Sequence, residues 1–376
     1  MSADTRWAWV EIDLDAIEHN VRHLRDTVAP AAVWAVVKAD GYGHGAVDVA
    51  RAAIRGGAEG LCVALVAEGI ELRRAGIDIP ILLLSEQPAE TAARIVEFRL
   101  TPTVYSRAFL DALVRAEPNG LPIHLKIDTG MQRVGAHPHS VPALIASIAE
   151  RAPAVRLAGV YTHLAVADEL DHEFTAVQLK RLDAALAHVP PDVPVHAANS
   201  AGAIAHPDAR RNLVRAGIAI YGITPGAGVT HMVGELRPAL ELRARVGYVK
   251  QVAAGSRISY GLRHEFAHDT TVATIPLGYA DGVPRRLAAV GGEVLVHGVR
   301  RPIVGVITMD QLMIDCGDLP VAVGDEVVLI GAARSDDGDE RILAEEWAER
   351  LDTIGYEIVC GISTRVPRVP RRSIDG

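Results

Sequence analysis

Between residues 33 and 218, short β-branched or apolar runs alternate with segments of helical periodicity, and that alternation leaves the chain very few folds. The runs fall near 33–38, 60–65, 80–84, 101–105, 122–127, 157–163, 194–198 and 213–218. Apolar residues recur at helical spacing between them, over 45–55, 66–75, 90–98, 106–115, 140–149 and 174–188. Eight strands alternating with helices predict an α/β fold of the (β/α)8 barrel type. On pattern alone, a doubly wound open sheet is the competing arrangement.

The flanks differ. Residues 7–13 alternate like a strand, and 14–28 carry a helical pattern that Pro30 closes. Residues 223–234, rich in Gly, Pro and Thr, read as a loop and linker. Strand-like runs follow at 240–252, 270–276, 293–296, 301–306, 311–315 and 326–330, with one helical stretch at 344–351. The expected division is a barrel over 1–234 and a mostly β domain over 235–376, with the 7–13 strand open to joining the second. The acidic stretch 335–340 reads as a solvated loop.

A chain of 376 residues, 49% hydrophobic, can bury the core that two such domains need. A formal charge of −9 without a long Lys/Arg run argues against nucleic acid or an anionic membrane as partner. No signal-peptide pattern and no apolar run of membrane-spanning length is present, so a cytoplasmic location is expected. Cys62, Cys316 and Cys360 are too few and too scattered for a disulfide framework. The 15 histidines are dispersed, and His137-Pro138-His139 reads as an exposed turn; no metal site is expected.

Chemistry should gather at the C-terminal strand ends, where barrels place their active sites. The first strand ends in Lys38, followed by the glycine-rich Gly41-Tyr42-Gly43-His44-Gly45. Lys126 and Asp128 close the fifth, Thr162-His163 the sixth, Asn199-Ser200 the seventh, and Arg215 lies in the eighth. A surface lysine, a hydrogen-bonded core histidine or a helix-capping Asn or Ser would explain each singly. Together they crowd one mouth. Barrels often bind phosphate with the loops after strands seven and eight, and here those loops supply Ser200 and Arg215-Ala216-Gly217-Ile218. A phosphate site paired with an imine-forming lysine suggests pyridoxal phosphate. A dinucleotide loop fits poorly, because the glycine spacing is wrong and no acidic ribose partner is evident.

The segments 37–45, 126–135, 162–163, 196–201, 215–222, 259–261, 278–282, 309–311 and 355–357 resemble those of the alanine racemases across nearly the whole chain. The resemblance implies a pyridoxal 5'-phosphate enzyme that interconverts L- and D-alanine with two bases, Lys38 and Tyr260, and supplies D-alanine for peptidoglycan. It implies Tyr42, Ser200, Gly217, Ile218 and Tyr356 around the phosphate, and His163 and Arg215 in a hydrogen-bonded chain from Tyr260 to the ring nitrogen. Arg133 would face the substrate carboxylate, oriented by a carbamylated Lys126. Tyr260, Tyr279 and Met309 would come from the second subunit of a homodimer, Tyr279 narrowing the substrate entrance. Thr308, Val306 and Ala216 depart from frequent family residues (cysteine, arginine and phenylalanine) without removing a group the chemistry needs. Competing implications are a racemase of serine or of broader range, a decarboxylase on the same barrel, and a non-catalytic cofactor-binding protein. The decarboxylase reading lacks its cysteine motif in the second domain, and carriers of this kind lack the β domain altogether.

Overall fold

The computed structural model describes residues 6–335 and 338–372, without the side chains of 334, 335 and 338. The chain divides into two compact units: one is Ala16–Arg237, and the other joins the chain before Ala16 to the chain after Arg237. Among the described residues no helix is long and apolar enough to cross a membrane.

Strand β1 (Ala8–Asp13) leads into the helix Leu14–Val28, and eight parallel strands follow. They are β2 (Ala32–Val36), β3 (Gly60–Val63), β4 (Ile81–Leu83), β5 (Thr101–Val104), β6 (Leu121–Lys126), β7 (Val155–Tyr161), β8 (Val195–His196) and β9 (Leu213–Ala216). Each pairs with the next as far as β8, and β9 returns to pair with β2, so the sheet is a nearly closed barrel. The β8–β9 seam lacks a ladder because β8 contributes only two residues. Asn212 N–H to Val195 O at 3.0 Å and Arg215 N–H to Ala198 O at 3.0 Å bridge it.

All residues of β3, β4 and β5 are buried, as parallel strands covered on both faces require. The outer helices bury one stripe each; in Ala46–Arg55 it is Ala46, Val49, Ala50 and Ala53, at helical spacing. Ser106 caps Arg107–Arg115 by accepting from Phe109 N–H at 3.2 Å. Two glycines shape the interior: a Cβ on Gly60 would lie 2.5 Å from the Trp34 ring, and one on Gly159 2.6 Å from the His124 ring. These bulky rings therefore occupy space that only a side-chain-free strand residue leaves open.

The second unit is a twisted sheet built around β1. It adds β10 (Leu240–Arg245), β11 (Tyr248–Val252), a short ribbon of β12 (Arg257–Ile258) with β13 (His264–Glu265), β14 (Thr270–Ile275), β15 (Glu293–Val296), β16 (Val299–Val304), β17 (Leu312–Gly317), β18 (Glu326–Ser335), β19 (Gly338–Ile342) and β20 (Arg368–Arg371). The order is β11-β14-β17-β16-β15-β18-β10-β1-β20, with β19 paired to β18. All pairings are antiparallel except β1 with β20.

Two expectations are corrected here. The run 240–252 is two strands, since the chain breaks at Val246-Gly247 and crosses from the β1 side of the sheet to its opposite edge. Val246 N–H bonds Asp325 O at 2.8 Å, whereas Gly247 N–H bonds Thr274 O at 2.8 Å, so adjacent residues serve different strands. The acidic stretch 335–340 is no simple loop: β18 and β19 form a hairpin there, with Ser335 opposite Gly338. Residues 336 and 337 lie outside the described residues.

Candidate active site

Lys38 follows β2 by two residues, and Val37 N–H still bonds Cys62 O at 2.9 Å, so strand pairing extends to its doorstep. The backbone then turns left-handed: Ala39, Asp40, Gly41, Tyr42 and Gly43 have φ of 52, 52, 60, 52 and 79°. For residues with a Cβ this conformation costs roughly 1–2 kcal/mol each. Side chains hold it in place. Asp40 Oδ1 accepts from Ala46 N–H at 2.9 Å, and Glu68 Oε1 accepts from Ala39 N–H at 2.7 Å. The other Glu68 oxygen accepts from Ala64 N–H at 2.7 Å and Leu65 N–H at 3.0 Å, which ties the turn after β2 to the end of β3.

The turn brings Tyr42 back over the strand ends, with Lys38 Nζ 5.9 Å from the centre of its ring. Tyr221 packs beside it, 4.9 Å between rings, and donates to Val36 O at 2.9 Å. A Cβ on Gly217 would lie 2.8 Å from Tyr42 Oη, so the bare backbone permits that approach. Ser200 Oγ accepts from Gly217 N–H at 2.9 Å, and Ile218 opens the short helical turn Ile218–Tyr221. Asn199 is the cap of Ser200–Ala205, accepting from Gly202 N–H at 2.9 Å. Tyr42, Ser200, Gly217 and Ile218 thus converge.

Arg215 is 3% exposed, and its Nη1 and Nη2 donors point at acceptors of the barrel. It donates to His196 Nδ1 at 2.7 Å, Thr162 O at 2.8 Å, Ala197 O at 3.0 Å and His163 Nδ1 at 3.3 Å. A guanidinium has no acceptor, so both histidines present lone pairs to it and carry their proton on Nε2. Burial first, and then the Arg215 charge, hold both well below the usual histidine range, hence neutral.

Lys126 ends β6, is 5% exposed and donates to Leu84 O at 3.4 Å. Burial lowers its pKa to about 7, with Arg215 and Arg133 adding repulsion. Arg133 stands exposed on a pinned loop: Asp128 N–H bonds Ala136 O at 2.9 Å, Ala136 N–H bonds Lys126 O at 2.8 Å, and Asp128 Oδ1 accepts from Gly130 and Gln132.

The remaining predicted residues belong to the sheet unit. Tyr260, Tyr279 and Met309 are 73, 43 and 53% exposed. They gather on the loop between β16 and β17: Ser259 Oγ donates to Val306 O at 2.9 Å, Tyr279 N–H to Thr308 O at 3.0 Å and Ala280 N–H to Met309 O at 3.0 Å. Tyr356 is half-buried on the helix Gly355–Gly361, which was not expected from the sequence. Glu68, Asp40, His196 and His124 were also missed. The first two act on backbone and the last two inside the barrel, where no local pattern marks them.

The donor set suits pyridoxal phosphate. Tyr42 Oη, Ser200 Oγ and the Gly217 backbone form a cradle that a single added Cβ would fill, fitting a phosphate. Arg215 offers a permanently protonated donor to a ring nitrogen. Residues 12–225 match the family model described as alanine racemase, N-terminal domain, and 239–370 that of the alanine racemase C-terminal domain.

The chain belongs to the alanine racemase family. It is 48% identical over 373 residues to the alanine racemase of Symbiobacterium thermophilum, covering 96% of this chain and 97% of that one. The crystal structure of alanine racemase from E. faecalis superposes with a TM-score of 0.93 at 38% identity, covering 99% of this chain and 100% of that one. That of the Bacillus anthracis enzyme with bound L-Ala-P gives 0.90 at 39% identity, covering 98 and 96%. The family's members are isomerases, and the nearly closed barrel with its mostly β second unit is the fold they share.

Proposed function

We propose that the protein is a pyridoxal phosphate-dependent racemase that interconverts L- and D-alanine and supplies D-alanine for peptidoglycan. Bound at the barrel mouth, the cofactor supplies an electron sink that acidifies the α-carbon proton of an amino acid attached to it. Tyr42, Ser200, Gly217, Ile218 and Tyr356 hold its phosphate, and Lys38 carries the amine that anchors it. With the cofactor bound, Lys38 Nζ would take or return the α-proton on one face, and Tyr260 Oη of a second copy would do so on the other. His163 Nε2–H is the contact for that tyrosine, because Nδ1 already accepts from Arg215. Arg215, which can only donate, would hold the cofactor's ring nitrogen by a hydrogen bond without protonating it and so would temper the sink and disfavour side reactions.

Arg133 binds the substrate carboxylate, where its planar fork suits two oxygens. A half-deprotonated Lys126 near pH 7 is a ready nucleophile for CO2; the amine nitrogen bonds the carbon, one proton leaves, and the carbamate oxygens orient Arg133. Tyr279 and Met309 limit substrate size, and the homodimer makes two composite sites.

The cradle of Tyr42 Oη, Ser200 Oγ and the bare Gly217 backbone, with Lys38 Nζ 5.9 Å from the centre of the Tyr42 ring, supports the reading. The test is α-proton exchange of L-alanine in D2O, followed by NMR and chiral chromatography. Wild type should give both enantiomers deuterated at Cα, and Tyr260→Phe should lose most of the activity. Unlabelled alanine from a cofactor-loaded wild type would sink the proposal.

A further inference from the structure

We infer that the N-terminal end of the barrel, opposite Lys38, holds a binding site for a small dianionic oxyanion, and that Arg215 senses its occupancy through two buried histidines. A cavity of about 370 Å³ opens there among the starts of β4 to β7. Arg73, Arg99 and Arg156 line it against the single carboxylate of Asp78. Among the described residues Asp78 pairs with Arg99 alone, at 3.4 Å, and both are mostly exposed. Arg73 spends its donors on the carbonyls of Ile77, Ile79, Phe98 and Arg99 at 2.6 to 3.1 Å, and neither it nor Arg156 has a carboxylate partner among the described residues. Three guanidinium charges less one carboxylate leave two positive charges around the cavity, which matches a dianion such as phosphate.

The floor adds a neutral donor. Because Arg215 can only donate, His196 accepts on Nδ1 at 2.7 Å and must donate from Nε2 to His124 Nδ1, 3.0 Å away. The remaining proton of His124 is therefore on Nε2, and its ring, 3% exposed, lines the cavity. Burial, with help from Arg215 and Arg156, pushes its pKa down to about 3, so the ring is neutral and the direction of the chain is fixed. His124 Nε2–H has no partner within the protein among the described residues, and its ring lines the same cavity as the three arginines, so an anion that enters the cavity can accept from it. An oxyanion on Nε2–H makes His124 Nδ1 a better acceptor from His196, and His196 Nδ1 a better acceptor from Arg215. Glycine at 159 is what lets the His124 ring sit in this line.

The binding claim stands without the proposed function; the sensing claim rests on it. The cofactor-loaded protein should be titrated with inorganic phosphate by calorimetry, chloride holding the ionic strength constant, for wild type and the exposed-site variant Arg156→Ala. In parallel, 15N NMR of histidine-labelled protein follows His124 and His196. Expected are one saturable site per chain, at least tenfold weaker binding in Arg156→Ala, and shifted resonances of both histidines on saturation. No saturable binding, equal binding in the variant, or an equal response to added chloride overturns the site; binding without a shift at His196 overturns the sensing. Neither readout needs turnover. A protein that binds phosphate here yet fails to racemise alanine refutes the function and not the site.

Discussion

Glu68→Gln is the sharpest perturbation of the lysine's surroundings, because it keeps the shape and inverts one donor–acceptor contact. The native carboxylate accepts three backbone N–H groups, one on Oε1 and two on Oε2. Glutamine keeps only one oxygen. Its less costly orientation leaves that oxygen on Ala64 and Leu65 and turns the amide against Ala39 N–H, the first left-handed residue after Lys38. A charge-assisted hydrogen bond contributes about 1.5–3 kcal/mol. The loss falls on a turn already carrying a cost of roughly 1–2 kcal/mol per non-glycine residue. At roughly 2–4 °C per kcal/mol for a unit of this size, the barrel should melt about 3–12 °C lower at fixed protein concentration. If the turn relaxes, Lys38 moves with it, and a misplacement of about 1 Å can cost on the order of a hundredfold in rate. Differential scanning calorimetry and steady-state racemisation together test this: kcat should fall at least about tenfold, with KM for alanine changing less. A variant that melts within 1 °C or so of wild type and turns over at the same rate would show that the turn holds itself and that Glu68 only caps the β3 end.

With Lys126 near pH 7, protein equilibrated with 13C-bicarbonate at pH 8 should show a slowly exchanging carbamate signal that fades below about pH 6 and is absent in Lys126→Gln. In Gly159→Ala, a methyl 2.6 Å from the His124 ring should destabilise the barrel by about 1–3 kcal/mol, read by urea unfolding. His124 is held neutral with its folded pKa lowered to about 3, so from pH 6.5 downward the unfolded chain binds the extra proton and stability falls. That single site contributes a slope of about 1.4 kcal/mol per pH unit between about pH 6.5 and 3, and His124→Phe should remove it from the pH dependence of unfolding.

The barrel was legible because its strands are buried on both faces and read as continuous apolar runs, each followed by a helix with a clear stripe. That Lys38, Ser200 and Arg215 lie at or near the C-terminal strand ends was legible from the strand pattern. The break at Val246-Gly247 was not, because the strand-like pattern runs straight across it and only the pairing partners change. The left-handed turn was half visible. Gly41, Gly43 and Gly45 announce positive φ, but nothing local shows that Ala39, Asp40 and Tyr42 share it, since Glu68 and the Asp40 side chain hold them. His124 and His196 looked like ordinary strand residues; their meaning lies in a chain of contacts across β6, β8 and β9.

The pairing of Ile12 with Leu240 in β1 and β10, closed by Asp13 N–H to Ala239 O at 2.8 Å, has a consequence for biosynthesis. Seen from the sheet, the entire barrel is the connecting loop of an antiparallel hairpin. During translation at about 5–20 residues per second, β1 emerges first and waits roughly 10–50 s for its neighbour, and longer for β20. The barrel has all its strands in hand before then, so the nascent chain carries a finished barrel with β1 still unpaired. An exposed edge in that interval is open to the wrong partner. A ribosome stalled far enough beyond Arg245 for β10 to have left the exit tunnel, rather than before that point, should therefore yield a nascent chain less prone to aggregate.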